Sequence, residues 1–449
     1  MRKVAALTLG CKVNLYDTEA ILSKFREAGW EVTESGRADA VVVNTCAVTN
    51  VSDRKSRQAI RRAAERNPGA AILAAGCWAR LRPDEAAAIP GVTAVVRDDA
   101  DLTRFIGSAF GSTPEAALGF APETALGSAP ETALGFAPET ALGFAPETAR
   151  IRPAFSGRTR AFVKIQDGCD NYCAYCVVPY ARGPSRSRGA AEIAAEIRAM
   201  AAAGFKEVVL TGIHAASYGK DLDGQLGLID IIELACAEDG IERVRLSSLE
   251  PGYIDDGFVR RASRLGKLCP HFHLSLQSGC DATLARMGRR YTSARYLESA
   301  GLLLSAFPSA ALTTDIIVGF PGETGRDFAD SADFVRRAGL ARIHVFPYSA
   351  KAGTRAASMP DQAPSGVKAE RAAVMRAISG ELWRGFLSRS VGRSAGLLAE
   401  QEVSPGVWEG LTPNYIPVRA AWPGARRGDT ARVTITGSDG AVAFAEKIV

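Results

Sequence analysis

Cys169, Cys173 and Cys176 stand in Asp167-Gly-Cys-Asp-Asn-Tyr-Cys-Ala-Tyr-Cys at a C-x3-C-x2-C spacing. Thiolates this close together make a soft metal site. A structural zinc would ask for a fourth protein ligand, and no further Cys or His lies nearby in a chain with four His in all. Three thiolates suit a four-iron cluster with one iron left open to a substrate or cofactor, and an open position is where metal sites do chemistry.

Three more cysteines lie toward the N-terminus: Cys11 in Leu9-Gly-Cys-Lys-Val-Asn, Cys46 in Asn44-Thr-Cys-Ala-Val-Thr and Cys77 in Ala75-Gly-Cys-Trp-Ala. Each follows directly on a short apolar run. If those runs are neighbouring parallel strands, the three thiols emerge at one sheet edge and converge; three thiols buried separately for packing satisfy the spacing too. Nine cysteines is an odd number in a chain without a secretion signal, so metal binding or catalysis is a better reading than a disulfide framework. Cys236 shares a helical face with Ile229 and Ile232 and reads as core. Cys269 and Cys280 match no ligand pattern, and His214 and His344 read as structural.

The elements that must position these groups follow from the apolar pattern. Before residue 105, apolar runs at Val4–Leu9, Ala40–Val43 and Ala70–Ala75 alternate with helical stretches, which predicts a parallel-sheet α/β domain over 1–110. Residues 117 to 148 are four copies of Ala-Leu-Gly-Phe-Ala-Pro-Glu-Thr with Ser128 replacing one Phe. Gly and Pro in every copy break helix and strand, so 111–150 reads as a linker insertion. Strands expected at Ala161–Ile165, Glu207–Leu210, Arg243–Leu246, His271–Leu276, Leu312–Ile317 and Arg342–Phe346, separated by helices, predict a partial β/α barrel over 151–385. Short strands and Gly/Pro turns over 386–449 predict a small β-barrel.

With 449 residues, 47% hydrophobic and 23% charged, the chain has ordinary globular composition and no apolar run of the ~18 residues a membrane helix needs. The N-terminus reads as a first strand, not a signal peptide, so a cytoplasmic protein with no membrane partner is expected. Net charge is +5; Phe105 to Ala149 holds five Glu and no Lys or Arg, so the rest carries +10. That excess permits an anionic partner.

The C-x3-C-x2-C motif after a barrel strand resembles the radical S-adenosylmethionine (radical SAM) superfamily. There the open iron binds the amino and carboxylate groups of the cofactor, and an electron from the cluster breaks its S–C bond. Tyr175 matches the aromatic residue packed near the adenine in that superfamily. With the three N-terminal Cys motifs, Val178-Pro-Tyr-Ala-Arg-Gly, Thr211-Gly-Ile-His, Arg245-Leu-Ser-Ser-Leu-Glu-Pro, Leu274-Ser-Leu-Gln-Ser-Gly and Asp315-Ile-Ile-Val-Gly-Phe-Pro-Gly-Glu-Thr, the chain resembles the methylthiotransferase family over all but the repeat. Matching positions then imply two 4Fe-4S clusters, on Cys11, Cys46 and Cys77 and on Cys169, Cys173 and Cys176. They also imply S-adenosyl-L-methionine near Gly212, Ser247, Glu250 and Gln277, and an external electron donor.

Lys12-Val-Asn after the first Cys most resembles the branch acting on N6-threonylcarbamoyladenosine next to the tRNA anticodon. The isopentenyladenosine branch typically has Gln-Met-Asn there and the branch acting on a ribosomal-protein aspartate Pro-Lys-Asn; both remain alternatives. The terminal barrel resembles the TRAM domain, a small RNA-binding barrel. Tyr415 and Arg419, in Thr412-Pro-Asn-Tyr-Ile-Pro-Val-Arg, with Arg426 and Arg427, offer the aromatic and cationic groups that an anticodon stem-loop calls for. The helix carrying Arg54, Lys55, Arg57, Arg61, Arg62 and Arg66 is a second basic element, and equally a solvated charged face.

Overall fold

The computed structural model describes residues 1–34, 37–110, 158–224 and 226–448. The repetitive linker expected over 111–150 lies outside the described residues. No helix among those described is long and apolar enough to cross a membrane.

The N-terminal part is a five-stranded sheet of β1 (Lys3–Thr8), β2 (Glu31–Val32), β3 (Ala40–Thr45), β4 (Ala71–Ala75) and β5 (Val92–Val96), in the order β2-β1-β3-β4-β5, every pair parallel. Central β3 reads Ala-Val-Val-Val-Asn-Thr and is buried along its whole length, as a strand covered on both faces must be. Its side chains alternate between two cores, Val41 and Val43 with Ile60 and Trp78 on one face, Ala40 and Val42 with Phe25 and Leu73 on the other. Helix α1 (Lys12–Glu27) follows β1, α2 (Asn50–Arg66) follows β3 with Thr49 capping the Ser52 amide, and α3 (Gly76–Leu81) follows β4.

The central part has two four-stranded sheets. One joins β6 (Arg160–Asp167), β7 (Arg186–Ser187), β8 (Glu207–Gly212) and β9 (Arg243–Leu246) in the order β7-β6-β8-β9. The other runs β10 (Ser248–Leu249), β11 (His271–Leu274), β12 (Ala311–Val318) and β13 (Arg342–Pro347) in sequence. A parallel bridge from Val244 to Leu268 joins them, and β13 finds no pairing with β6 among the described residues. All six expected strands are present, in an open barrel. Two-residue β7 and β10 escape the sequence pattern because a pair of residues has no periodicity, and β7 is antiparallel to β6.

The chain ends in a closed five-stranded barrel of β14 (Ser394–Ser404), β15 (Val407–Leu411), β16 (Pro417–Ala421), β17 (Thr430–Ser438) and β18 (Ala443–Lys447). The helix Ser365–Ser390 feeds it, placing Trp383, Phe386 and Leu387 in the same core as Trp408, Val418 and Val433. The border expected after residue 385 falls inside this helix. Arg243 donates to the Leu411 carbonyl (2.9 Å) and Arg245 to the Pro413 carbonyl (2.8 Å), and buried Glu207 faces both guanidinium groups. This ion cluster docks the terminal barrel on the starting ends of the central strands.

Candidate active site between two cysteine triads

Cys11, Cys46 and Cys77 leave the same sheet edge because their strands are adjacent, parallel and in register: Thr8 pairs with Asn44 and Asn44 with Ala75. Gly10, at φ +100°, makes the turn. A Cβ there would sit 3.0 Å from Cys46 Cβ and 3.1 Å from Cys46 Sγ, so a side chain would push the second thiol away. Asn14, one turn into α1, draws the other two together. Its Oδ1 lies 4.0 Å from Cys11 Sγ and 3.8 Å from Cys77 Sγ, while its Nδ2 donates to the carbonyls of Leu9 and Thr45. Cys46 and Cys77 are buried and Cys11 opens to the surface.

The second triad sits on the loop after β6. The Cys169 amide donates to the Gly183 carbonyl and the Cys176 amide to the Cys173 carbonyl. Arg289 donates to Cys173 Sγ at 3.2 Å and to Glu250 at 3.0 Å, and His214 Nε2 lies 3.0 Å from the other Glu250 oxygen. Burial pushes the Cys176 thiol up to about 12, and Cys173 and Cys169 add to the rise; such a group sheds its proton only to a cation that replaces it. Burial opposes charge on His214, but its bonds to Cys169 and Glu250 win and carry it to about 9.

A buried ion cluster joins the triads. Arg182, 1% exposed, donates through Nη2 to Asn14 Oδ1 (2.6 Å) and Asp17 (2.9 Å), and through Nη1 to both Asp167 oxygens (3.0 and 3.1 Å). Lys164 bridges the same carboxylates, at 2.6 Å from Asp17 and 3.1 Å from Asp167. Asp167 Oδ1 accepts the amide of Gly168, the residue before Cys169. Burial disfavours charge on Asp167, and Arg182, Lys164 and Arg80 outweigh it, holding that carboxyl well below the usual range. Three cations thus face two anions, and Arg182 and Lys164 hydrogen-bond both carboxylates.

Of the other expected contacts, Tyr175, Gly212 and Glu250 lie beside the second triad. Tyr175 packs edge-on against Phe320, 6.4 Å between centroids. Gly212 ends β8, where a Cβ would lie 3.0 Å from Gln166 Oε1; that oxygen accepts the His214 amide, while Gln166 Nε2 holds the Asp167 and Gly168 carbonyls. Ser247 is buried and its Oγ has no hydrogen-bond partner. Gln277 has φ +70°, a left-handed backbone rare outside glycine, held by a bond from its amide to the Asp315 carbonyl and one from the Ile317 amide to its own carbonyl. Glu250 accepts from Arg289, His214 and, at 3.4 Å, Asn171.

Residues 163–335 match the radical SAM superfamily and residues 3–97 the uncharacterized protein family UPF0004. The chain is 38% identical over 423 residues to the threonylcarbamoyladenosine tRNA methylthiotransferase of Bacillus subtilis (strain 168), covering 93% of this chain and 90% of that protein. It belongs to that radical SAM methylthiotransferase family. The tRNA-2-methylthio-N(6)-dimethylallyladenosine synthase of Caldicellulosiruptor saccharolyticus is 36% identical over 369 residues, covering 81% of this chain and 75% of that protein. A radical S-adenosylmethionine methyltransferase from Kitasatospora setae, TsrM, solved with cobalamin and a [4Fe-4S] cluster, shares the fold at TM-score 0.56 and 13% identity, over 91% of this chain and 77% of that one.

Membership of the radical SAM methylthiotransferases brings S-adenosylmethionine and a four-iron cluster. The donor set fits: all nine cysteines are free thiols, three lie on one loop, and the buried Ser247 Oγ is left without a hydrogen-bond partner. Among the described residues no three His, Cys, Asp or Glu side chains close on one point as a single ion would ask; a four-iron cluster is wider than an ion. Of the expected RNA contacts, Arg419 lies on the outer face of the terminal barrel, paired with Glu409 at 2.7 Å. Tyr415 faces inward instead. It stacks on His271 (4.5 Å, 16°) and receives the cations of Arg160 and Arg245 on its ring, because guanidinium groups gathered at the starts of the strands need a π face and an acceptor. Sequence reasoning missed Arg289, Asn171 and Arg182, and took His214 for a structural residue; Arg182 alone had a signal, in Val178-Pro-Tyr-Ala-Arg-Gly.

Proposed function

We propose that this methylthiotransferase replaces the C2 hydrogen of N6-threonylcarbamoyladenosine, beside the anticodon of tRNA, with a methylthio group. The likeness to enzymes named for that nucleoside over nine-tenths of the chain supports the substrate; the observation that carries the chemistry is two cysteine triads bound to one ion cluster through Asn14 and Asp167. When bound, two four-iron clusters and S-adenosylmethionine supply the carbon radical and the methylated sulfur, because a C2–H bond yields to no acid or base among the side chains. Cys169, Cys173 and Cys176 would hold one cluster and Cys11, Cys46 and Cys77 the other, with an external electron donor serving both.

The remaining residues bind and orient. Arg289 places positive charge beside Cys173 and keeps Glu250 ionised, so that Glu250 can accept from an ammonium or a ribose hydroxyl. Ser247 and Gln277 offer polar atoms at strand ends, Gly212 leaves room for close approach, and Tyr175 supplies an apolar face. Asn14 and Arg182 fix the distance between triads. We assign 1–110 to the N-terminal cluster, 111–150 to a linker, 151–385 to the radical SAM barrel and 386–449 to a TRAM-like barrel that meets RNA through Arg419, with Tyr415 at its inner edge. Nucleosides of tRNA from a strain lacking this chain should be missing 2-methylthio-N6-threonylcarbamoyladenosine by mass spectrometry, and plasmid-borne chain should restore it. An unchanged profile would overturn the reading.

A further inference from the structure

A cavity of ≈ 330 Å³ lies between the start of α1, strands β10 to β13 and the terminal barrel, walled by Lys12, His271, His273, Asp315, His344 and Tyr415 among others. It opens beside both proposed cofactor regions: Lys12 follows Cys11, the lining residue Ser248 follows Ser247, and the Asp315 carbonyl holds the Gln277 amide. Several polar groups in the wall lack hydrogen-bond partners. Lys12 makes no hydrogen bond or ion pair among the described residues, and His271, 6% exposed, has an Nδ1 with nothing to bond. Arg342, over the Trp383 ring, and His344, stacked on His273, likewise make no side-chain hydrogen bond or ion pair among the described residues, while His273 bonds Thr313 Oγ1 at 3.1 Å and faces Asp315 at 3.4 Å, and His271 Nε2 meets the same Thr313 hydroxyl at 3.3 Å.

Lys12 and Arg342, neither hydrogen-bonded to a carboxylate, and an imidazole nitrogen without a partner, around one cavity that borders the first triad at Lys12, call for a ligand that carries negative charge and hydrogen-bonding groups. The threonylcarbamoyl substituent carries a carboxylate, a hydroxyl and urea N–H groups. We propose that this cavity receives that substituent and that Lys12 pairs with its carboxylate, making Lys12 a specificity-determining residue. The inference rests on the substrate reading above and deepens it. A neutral hydrocarbon substituent in the same cavity would cover Lys12 and His271 without satisfying either, so the site rejects it as well as preferring the acid.

The test uses full-length protein reconstituted with iron and sulfide under anaerobic conditions, and fluorescence anisotropy with three anticodon stem-loops. These carry N6-threonylcarbamoyladenosine, its carboxylate methyl ester or unmodified adenosine. Wild type should bind the acid roughly tenfold to a hundredfold more tightly than the ester, as a charge-assisted contact requires. Lys12→Gln should bind acid and ester alike at unchanged iron content, and Lys12→Arg should keep the preference. Wild type that prefers the modified over the unmodified loop but binds acid and ester equally would overturn the carboxylate pairing; this arm needs no variant, so it decides even where Lys12→Gln loses iron. Full preference retained in Lys12→Gln would overturn the role of Lys12. Wild type that binds modified and unmodified loops equally would bring down the substrate reading and this inference with it.

Discussion

Arg182→Met removes four hydrogen bonds from the ion cluster and leaves Asp17 and Asp167 with Lys164 as a hydrogen-bonded cation and Arg80 as the other positive charge nearby. Removing one partner of a buried pair costs about 3–5 kcal/mol. Lys164 still reaches both carboxylates, which puts this case near the lower bound, about 3 kcal/mol, or on the order of a hundredfold in an opening equilibrium. Because Asp17 lies on α1 and Asp167 beside the second triad, the loss falls on the seam between α1 and the barrel. Amide hydrogen exchange of residues 12–27, followed by mass spectrometry, reads that local opening without requiring the whole chain to unfold in one step. Arg182→Met should speed exchange there on the order of a hundredfold, whereas Arg182→Met with Asp17→Asn no longer buries a carboxylate stripped of that partner and should recover most of the protection. Unchanged exchange in the single variant, or no recovery in the double one, would refute the view that pairing of these buried carboxylates holds the triads in place.

Glu19 has its carboxyl raised by burial to about 7, against the opposing pull of Arg26 and Arg158. The folded state therefore binds this proton more tightly than the unfolded one, and its contribution is full below the ordinary carboxylate value, about 4.3, and lost as pH rises through about 7. Glu19→Gln should flatten that loss and be more stable than wild type at pH 8 by about 2–3 kcal/mol in urea melts; equal stabilities would contradict it. Glu207 is the reverse case: burial raises its carboxyl, but Arg245, Arg160 and Arg243 outweigh it and hold it low. Its stabilisation is present above the ordinary carboxylate value and lost as pH falls through the depressed one, so acid should expose residues 411–415 to exchange and Glu207→Gln should expose them already at neutral pH; protection unchanged in the variant would count against the docking role. Cys173→Ala should abolish deoxyadenosine production from S-adenosylmethionine and leave tRNA affinity within about twofold, since the RNA contacts proposed above do not include the cluster loop; retained deoxyadenosine would contradict the cluster assignment.

The cysteine motifs were legible because they are local. C-x3-C-x2-C is contiguous, and three cysteines each at the end of a β-branched or Ala-rich run are readable once parallel strands are assumed; the register of β1, β3 and β4 then makes their convergence a geometric necessity. What links the triads was not legible, because it is made at long range: Arg182 reaches Asn14 across 168 residues and Arg289 reaches Cys173 across 116, and although Arg182 stands in Val178-Pro-Tyr-Ala-Arg-Gly, nothing in local spacing announces the partner of either. Tyr415 shows the opposite failure. Its neighbourhood reads as an exposed RNA contact, and packing against His271, Arg160 and Arg245 turns it inward. Lys12 carried the substrate reading as a letter in a motif; only the cavity around it gives that letter a physical use.

Iron and sulfide counted on anaerobically purified protein test the two-triad account most directly. Wild type should hold about eight irons and eight sulfides per chain, and Cys46→Ala and Cys173→Ala about four each, since each triad loads independently. About four irons in wild type, unchanged by Cys46→Ala, would contradict it.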